Sequence, residues 1–201
     1  MTIEFRFAQL RDLDRICALH IESFQGFFLT SLGTHFLRLL YDGFANDPTG
    51  VSIVAEDNGV IIGFAIGTTD PNVFFRRLLL RRGFLFFCAA IPGVLRRPLF
   101  VSRKCLGALL YRGEKPKDLQ KAALLSSLAV APAYRGQGVG QHLVRAFAKA
   151  AKQQNCSSLY LTTDHSYNDS VNNFYAQCGF VLCDTFTQSG NRVMNRWVMT
   201  L

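Results

Sequence analysis

The chain has 201 residues and six cysteines, yet no two cysteines stand in C-x-x-C spacing. Zinc ribbons and thioredoxin-like redox motifs need that spacing, so neither is supported. Cys17, Cys88, Cys105, Cys156, Cys178 and Cys183 mostly fall within apolar patterns and read as small buried hydrophobes. No Gly-Lys-Ser/Thr follows the glycine cluster at Gly136, Gly138 and Gly140, which excludes a P-loop. A third glycine at the dinucleotide offset is also missing. Repeats and low-complexity tracts are absent, and a composition of 49% hydrophobic and 18% charged residues is too apolar for disorder. The apolar run Gly83 to Leu95 has 13 residues, where a membrane helix needs about 20. Pro92-Gly93 is expected to break a helix within it. The start, MTIEFRFAQLRDLD, has no apolar signal region. A reducing cytoplasm with free thiols is therefore expected.

Acidic residues are scarce in one place. Between Pro71 and Lys121 there are 12 Lys/Arg and 2 Asp/Glu, a local charge of +10 within a chain of net charge +8. The basic character belongs to that segment, which points to an anionic partner for it alone. Its arginine pairs alternate with long aliphatic residues, and no nucleic-acid signature accompanies them, so no nucleic-acid partner is expected.

Around this segment the periodicity alternates between strand and helix. Thr2 to Ala8 reads as a strand, and Arg11 to Phe24 and Thr34 to Phe44 as helices. Val51–Glu56 and Val60–Thr68 flank Asp57-Asn58-Gly59, a hairpin signal. After the basic insertion come a strand at Leu124–Val130, a helix at Gly138–Gln154 and a strand at Leu159–Thr163. A short helix at Ser170–Cys178 and two closing strands at Gly179–Cys183 and Arg192–Met199 complete the chain. This order predicts an α/β (α+β) domain over residues 1–201, a mixed and mostly antiparallel sheet of about seven strands with helices on both faces. The insertion, residues 71–121, lies between the third and fourth strands as a basic amphipathic helical element.

The stretch Leu124 to Ala151, LLSSLAVAPAYRGQGVGQHLVRAFAKAA, carries the chemistry. An apolar strand runs into Ala131-Pro132, and Arg135 to Gly140 then opens a helix with Val139, Leu143, Val144, Phe147 and Ala151 on one stripe. Glycines in a first helical turn leave bare N–H groups that a ligand can approach closely, and the helix dipole favours an anion there. The pattern reads as a phosphate or pyrophosphate cradle, or as a turn that eases helix packing.

Arg135-Gly136-Gln137-Gly138-Val139-Gly140 resembles the R/Q-x-x-G-x-G/A signature of the GNAT superfamily of N-acetyltransferases. Asn168 to Phe180, with Asn168, Asn172, Phe174, Tyr175, Gly179 and Phe180, resembles the family's N-x-x-A/V-x-x-L/F-Y-x-x-x-G-F segment. The resemblance is close over Leu124–Phe180, extends to Thr2–Thr68 in element order only, and leaves the insertion uncovered. It implies acetyl-coenzyme A as donor and an amine as the usual acceptor, and a small-molecule amine is the acceptor expected here. Carried over by position, the amides of Arg135, Gly136, Gln137, Gly138, Val139 and Gly140 bind the pyrophosphate. The backbone of Leu128, Ala129 and Val130 pairs with the pantetheine arm, and the strand ending at Val130 splays from Leu159–Thr163 to admit it. Asn168 hydrogen-bonds the pantetheine region, and Tyr175 is the general acid beside the thioester sulfur. An oxyanion donor is then expected at the Val130 or Leu128 amide.

The general base is not evident. Ala123 to Ser127 holds no carboxylate where many family members place one, which leaves Glu22, His20, His35, Asp164 and His165. No ordered Cys/His pair supports an acyl-cysteine route. The acceptor pocket is expected from Phe24, Phe27, Phe28 and Asp164. An aromatic, carboxylate-poor pocket disfavours polycationic acceptors. With the basic insertion it suggests a small anionic one, such as a nucleotide-linked amino sugar or polysaccharide precursor. A protein or peptide acceptor, and a non-catalytic coenzyme A-binding or scaffold module, stand as alternatives. The insertion itself reads as a lid or acceptor-pocket wall, a peripheral contact with an anionic membrane surface at the inner membrane face, or a homodimer surface. No metal site is expected.

Overall fold

A computed structural model describes residues 3–96, 119–188 and 191–201. The strand expected from Thr2 is β1, Glu4–Phe7. A short 3-10 turn at Leu10–Asp12 leads into α1, Leu13–Ser23. The segment GFFLTSLG forms α2, Phe28–Ser31, and α3 spans Thr34–Asn46. β2 (Gly50–Asp57) and β3 (Val60–Thr68) are joined by Asn58 and Gly59, both at positive φ (49° and 80°). That geometry is the two-residue hairpin turn that Asn-Gly favours. The insertion begins as α4, Pro71–Arg96. Then come β4 (Ala122–Val130), α5 (Val139–Gln153), β5 (Ser158–Asp164), α6 (Asp169–Gln177), β6 (Val181–Gln188) and β7 (Arg192–Thr200).

The strands form one seven-stranded sheet in the order β1-β2-β3-β4-β5-β7-β6. Every neighbouring pair is antiparallel except β4 with β5. This is the mixed, mostly antiparallel sheet the sequence predicts. Alternating residues send apolar side chains to both faces. On one face α5 and α6 cover Val51, Ile53, Ile62, Leu125, Leu159 and Leu161. On the other, α1 and α3 cover Val54, Phe64, Ile66, Ala129 and Ala131, with Phe74 and Phe86 of α4 beside them. Tyr41, Phe44, Phe64, Phe74 and Phe147 are fully buried, each stabilising the fold by roughly 2–3 kcal/mol.

The expected break at Pro92-Gly93 does not occur: α4 runs unbroken for 26 residues with Pro92 inside it. Pro92 faces outward, while Gly93 is buried against α2. A Cβ on Gly93 would lie 2.7 Å from the Ser31 carbonyl oxygen and 3.0 Å from Leu32 Cα. Ala90 packs with Leu32, and Phe86 meets Phe36 at 4.9 Å between ring centroids. Tertiary packing thus outweighs the proline's lost hydrogen bond. Arg82 pairs with Asp42 and Arg77 with Asp47, tying α4 to α3 and its C-terminal edge. The remainder of the insertion, residues 97–118, lies outside the described residues.

Candidate active site

β4 and β5 run parallel but pair only over Ala122–Leu124 and Ser158–Tyr160. Beyond that point they part, so Leu125–Val130 and Leu161–Asp164 face each other across a gap. β4 is also displaced on its other edge. Its register against β3 slips by one residue, Ile66 opposing Ser127 and Gly67 opposing Leu125, which leaves Ser126 as a bulge. A bulge bends its strand and re-aims the residues beyond it.

Which β4 groups face the gap is set by the ladder. The Ala131 N–H donates to the Ile62 carbonyl at 2.7 Å, and Ala129 lies opposite Phe64. In an antiparallel ladder alternate residues bond the same neighbour. Ala131 and Ala129 therefore bond β3, and the N–H and C=O groups of Leu128 and Val130 turn to the open side. The Val130 carbonyl accepts from Arg135 Nε at 3.1 Å across that side. Leu128 and Val130 are half-buried, whereas Ala129 is buried on the α1/α3 face and presents no polar group to the gap.

The open edge ends at the glycine loop. Gly136 and Gly138 adopt positive φ (75° and 79°), the left-handed region that a Cβ makes costly. Gly138 is the N-cap of α5, and no side chain caps that end. The first intrahelical bond runs from His142 N–H to the Gly138 carbonyl. The N–H groups of Val139, Gly140 and Gln141 are thus left without helical acceptors, and the dipole end is open to an anion. Gly140 has a different reason to be glycine. A Cβ there would come within 3.1 Å of the Phe174 ring, so Gly140 lets α5 and α6 approach. The helix-packing reading of the glycine cluster therefore applies at Gly140.

Tyr175 projects from α6 into the cluster holding Leu125 of β4, Leu161 of β5 and Val139 of α5. Its ring sits edge-on to Phe174 (5.0 Å) and Phe180 (5.6 Å). Burial pushes the phenol above its ordinary range, with nearby Cys178 adding to the effect. The phenol is therefore neutral at physiological pH. α6 is moored by a buried polar chain that sequence reasoning did not foresee. Trp197 Nε1 donates to Thr163 Oγ1 (2.9 Å), Thr163 Oγ1 donates to Asn172 Oδ1 (2.6 Å), and Asn172 Nδ2 donates to the Asp164 carbonyl (3.2 Å). Asn168 stands at the N-cap of α6, its Nδ2 3.4 Å from the same carbonyl.

At the far end of β5 the predicted acceptor residues partly converge. Asp164 is gripped bidentately by Arg192, with Arg192 Nη2 2.6 Å from Oδ2. The Arg192 guanidinium lies 5.5 Å from the centre of the Phe27 ring, which meets Phe24 edge-on at 5.6 Å. Arg192 is the missed member of this group. Asp164 raises the guanidinium's pKa, against the opposing effect of burial. Phe28 turns elsewhere and packs with Leu32 and Ala90 under α4.

The base candidates separate just as clearly. Asp164 has both oxygens occupied. His165 Nδ1 is 2.8 Å from Asn195 Oδ1, Glu22 pairs with Arg15 at the surface, and His35 is exposed on the first turn of α3. His20 is buried with Nδ1 2.6 Å from the Tyr41 hydroxyl. Burial pushes His20 down to about 4, so it stays neutral and is a weak proton acceptor. Among the described residues no cluster of metal-ligating side chains occurs.

A family model described as acetyltransferase (GNAT) family matches residues 13–180. A relative from Xenopus laevis named N-alpha-acetyltransferase 30 is 31% identical over 81 residues, which cover 40% of this chain and 29% of that protein. The match thus spans under a third of that relative's length. Among solved structures, a ribosomal-protein-alanine N-acetyltransferase from Brucella melitensis is similar at TM-score 0.63 and 17% identity, covering 98% of this chain and 99% of that one. A NatC complex bound to Gag peptide and CoA is similar at TM-score 0.60 and 13% identity, covering 100% of this chain and 99% of that one. A splayed β4/β5 pair leading to an uncapped, glycine-rich helix start, together with a family match across most of the chain, makes this protein a member of the acetyltransferase (GNAT) family.

Proposed function

We propose that this chain moves an acetyl group from acetyl-coenzyme A to a primary amine, and that the amine is the α-amino group of a peptide or protein. The observation that carries acetyl transfer is the open edge of β4. Two backbone N–H groups face a gap that ends on an uncapped helix N-terminus. An extended donor arm can pair with such an edge while its phosphates sit on the helix dipole.

Acetyl-coenzyme A supplies the thioester carbonyl and the leaving sulfur. The protein supplies position and charge. The amides from Arg135 to Gly140 hold the pyrophosphate, and the Leu128 and Val130 backbone holds the arm, with Asn168 alongside. The amine nitrogen bonds to the carbonyl carbon as the carbon–sulfur bond breaks. An N–H of Leu128 or Val130 stabilises the oxygen that becomes negative. The neutral Tyr175 phenol gives its proton to the departing sulfur, and the amine sheds its own proton to water.

A peptide acceptor is favoured over a small anionic one because the four described arginines of α4, Arg76, Arg77, Arg81 and Arg82, do not converge on the gap. Arg77 and Arg82 are tied to Asp47 and Asp42, and Arg76 and Arg81 are exposed on α4. Arg192, the basic group beside Phe27, is neutralised by Asp164. The named relative, an N-alpha-acetyltransferase, supports the same reading.

The test follows free thiol release from acetyl-coenzyme A with peptides of free N-terminus, the same peptides N-terminally blocked, and nucleotide-linked amino sugars. Release with free peptides alone is expected. Tyr175→Phe should lower kcat by roughly 100-fold with little change in KM for acetyl-coenzyme A. Release only with the sugars would replace the acceptor, and binding of the donor without release to any amine would leave a coenzyme A-binding module.

A further inference from the structure

α4 is apolar on two opposite faces, and only one of them is covered. Phe86, Ala90 and Gly93 are buried against α2 and α3. On the other side Leu80, Phe84, Phe87, Ile91 and Leu95 recur at intervals of four, three, four and four residues, a single helical stripe. They are 75%, 77%, 68%, 42% and 76% exposed. The stripe runs about 22 Å along the axis. Isolated exposed hydrophobics are ordinary, but five in register with two phenylalanines among them mark a surface that meets something.

The charge around the stripe selects what it meets. α4 contains Arg76, Arg77, Arg81, Arg82 and Arg96 and no carboxylate. The α3 side accounts for two of these, since Asp47 and Asp42 face Arg77 and Arg82. Arg76 and Arg81 flank the stripe in solvent, with no ion pair among the described residues. A second copy meeting this face would bring the same arginines together without a compensating carboxylate. In sequence, residues 97–118 add six Lys/Arg against Glu114 and Asp118.

We propose that the outer face of α4 docks on an anionic lipid bilayer, lying parallel to its surface with the stripe in the headgroup–acyl boundary and Arg76 and Arg81 on lipid phosphates. By length and composition alone α4 is apolar enough to cross a membrane. It lies on the surface instead, because its other face is fastened to α2 and α3 through Phe86, Gly93 and two ion pairs. This inference does not depend on the acetyl-transfer reading, since it uses no residue of the β4/β5 gap.

The experiment is co-sedimentation of the full chain with vesicles of phosphatidylcholine alone or with one-third phosphatidylglycerol, at low and high salt. Binding to the anionic vesicles only, weakened by salt, is expected. Phe84→Ser with Phe87→Ser should weaken it roughly tenfold or more, and Arg76→Gln or Arg81→Gln about fivefold each. The serine pair is exposed, so its unfolding midpoint and thiol release should match the parent's. No sedimentation with anionic vesicles overturns the proposal. So does equal binding to both vesicle types, or light scattering that shows a dimer which the serine pair dissolves. Failure of thiol release with vesicle binding intact would overturn the enzymatic reading alone.

Discussion

Thr163→Val tests whether the buried polar chain beneath α6 holds the site together. Valine has nearly the shape of threonine, so the change opens no cavity and isolates the hydroxyl. Thr163 is 7% exposed, and its Oγ1 both accepts from Trp197 Nε1 (2.9 Å) and donates to Asn172 Oδ1 (2.6 Å). The variant strands a buried indole N–H, which costs about 1–3 kcal/mol. Asn172 is only half-buried, so its oxygen regains water and adds little. The expected loss is about 2 kcal/mol, a large part of a typical domain's margin. In urea this appears as a midpoint lowered by about 1 M with the slope unchanged. Asn172 keeps only one of its two ties to β5, its bond to the Asp164 carbonyl (3.2 Å), so α6 should shift and KM for acetyl-coenzyme A should rise while Tyr175 keeps its chemistry. Trp197→Phe removes the stranded donor, so the double variant should be less destabilised than the two single losses added together. A loss below about 0.5 kcal/mol, or full additivity in the double variant, would refute the chain as a structural tie.

The geometry makes three further outcomes testable. Gly138→Ala places a Cβ at ordinary contact distance from His142 Nδ1 (3.7 Å), without a clash, but at φ 79°. It should cost about 1 kcal/mol of stability and weaken acetyl-coenzyme A binding by calorimetry. Lost stability with unchanged affinity would make the glycine a turn residue only. His20 is held neutral in the fold, its pKa lowered from 6.5 to about 4 by burial. Its contribution is complete above pH 6.5 and is lost as pH falls toward 4, because the unfolded state takes the proton first. The loss amounts to about 3 kcal/mol. His20→Gln should flatten that part of the urea-midpoint profile, and an unchanged slope would count against it. Arg192→Ala leaves Asp164 unpaired and Phe27 without its cation, both partly exposed. A loss of only about 1 kcal/mol is expected, with KM raised for the acceptor and not for acetyl-coenzyme A. A change confined to the donor would move this cluster out of the acceptor site.

Elements whose causes are local are legible along the chain. Asn58-Gly59 specifies the hairpin because both residues tolerate positive φ. The stripe from Val139 to Ala151 specifies α5, and Gly136 and Gly138 specify the loop that opens it. The order of those elements with the Asn168–Phe180 segment was enough to indicate the family. Tertiary structure decided what depends on residues distant in the chain. Pro92-Gly93 reads locally as a break, yet α4 continues through it because Ser31 and Leu32 receive Gly93. Arg76-Arg77 and Arg81-Arg82 read locally as a basic block, but Asp42 and Asp47 divide these four into a fastened inner pair, Arg77 and Arg82, and an exposed outer one. Asp164 reads as a candidate base until Arg192, 28 residues later, occupies both its oxygens. Thr163, Asn172 and Trp197 show no pattern at all along the chain, because a hydrogen-bond chain across three elements has no sequence period. Periodicity records which face of an element is buried, whereas the partner on that face, and the proton or charge it holds, arises only when the sheet brings the two together.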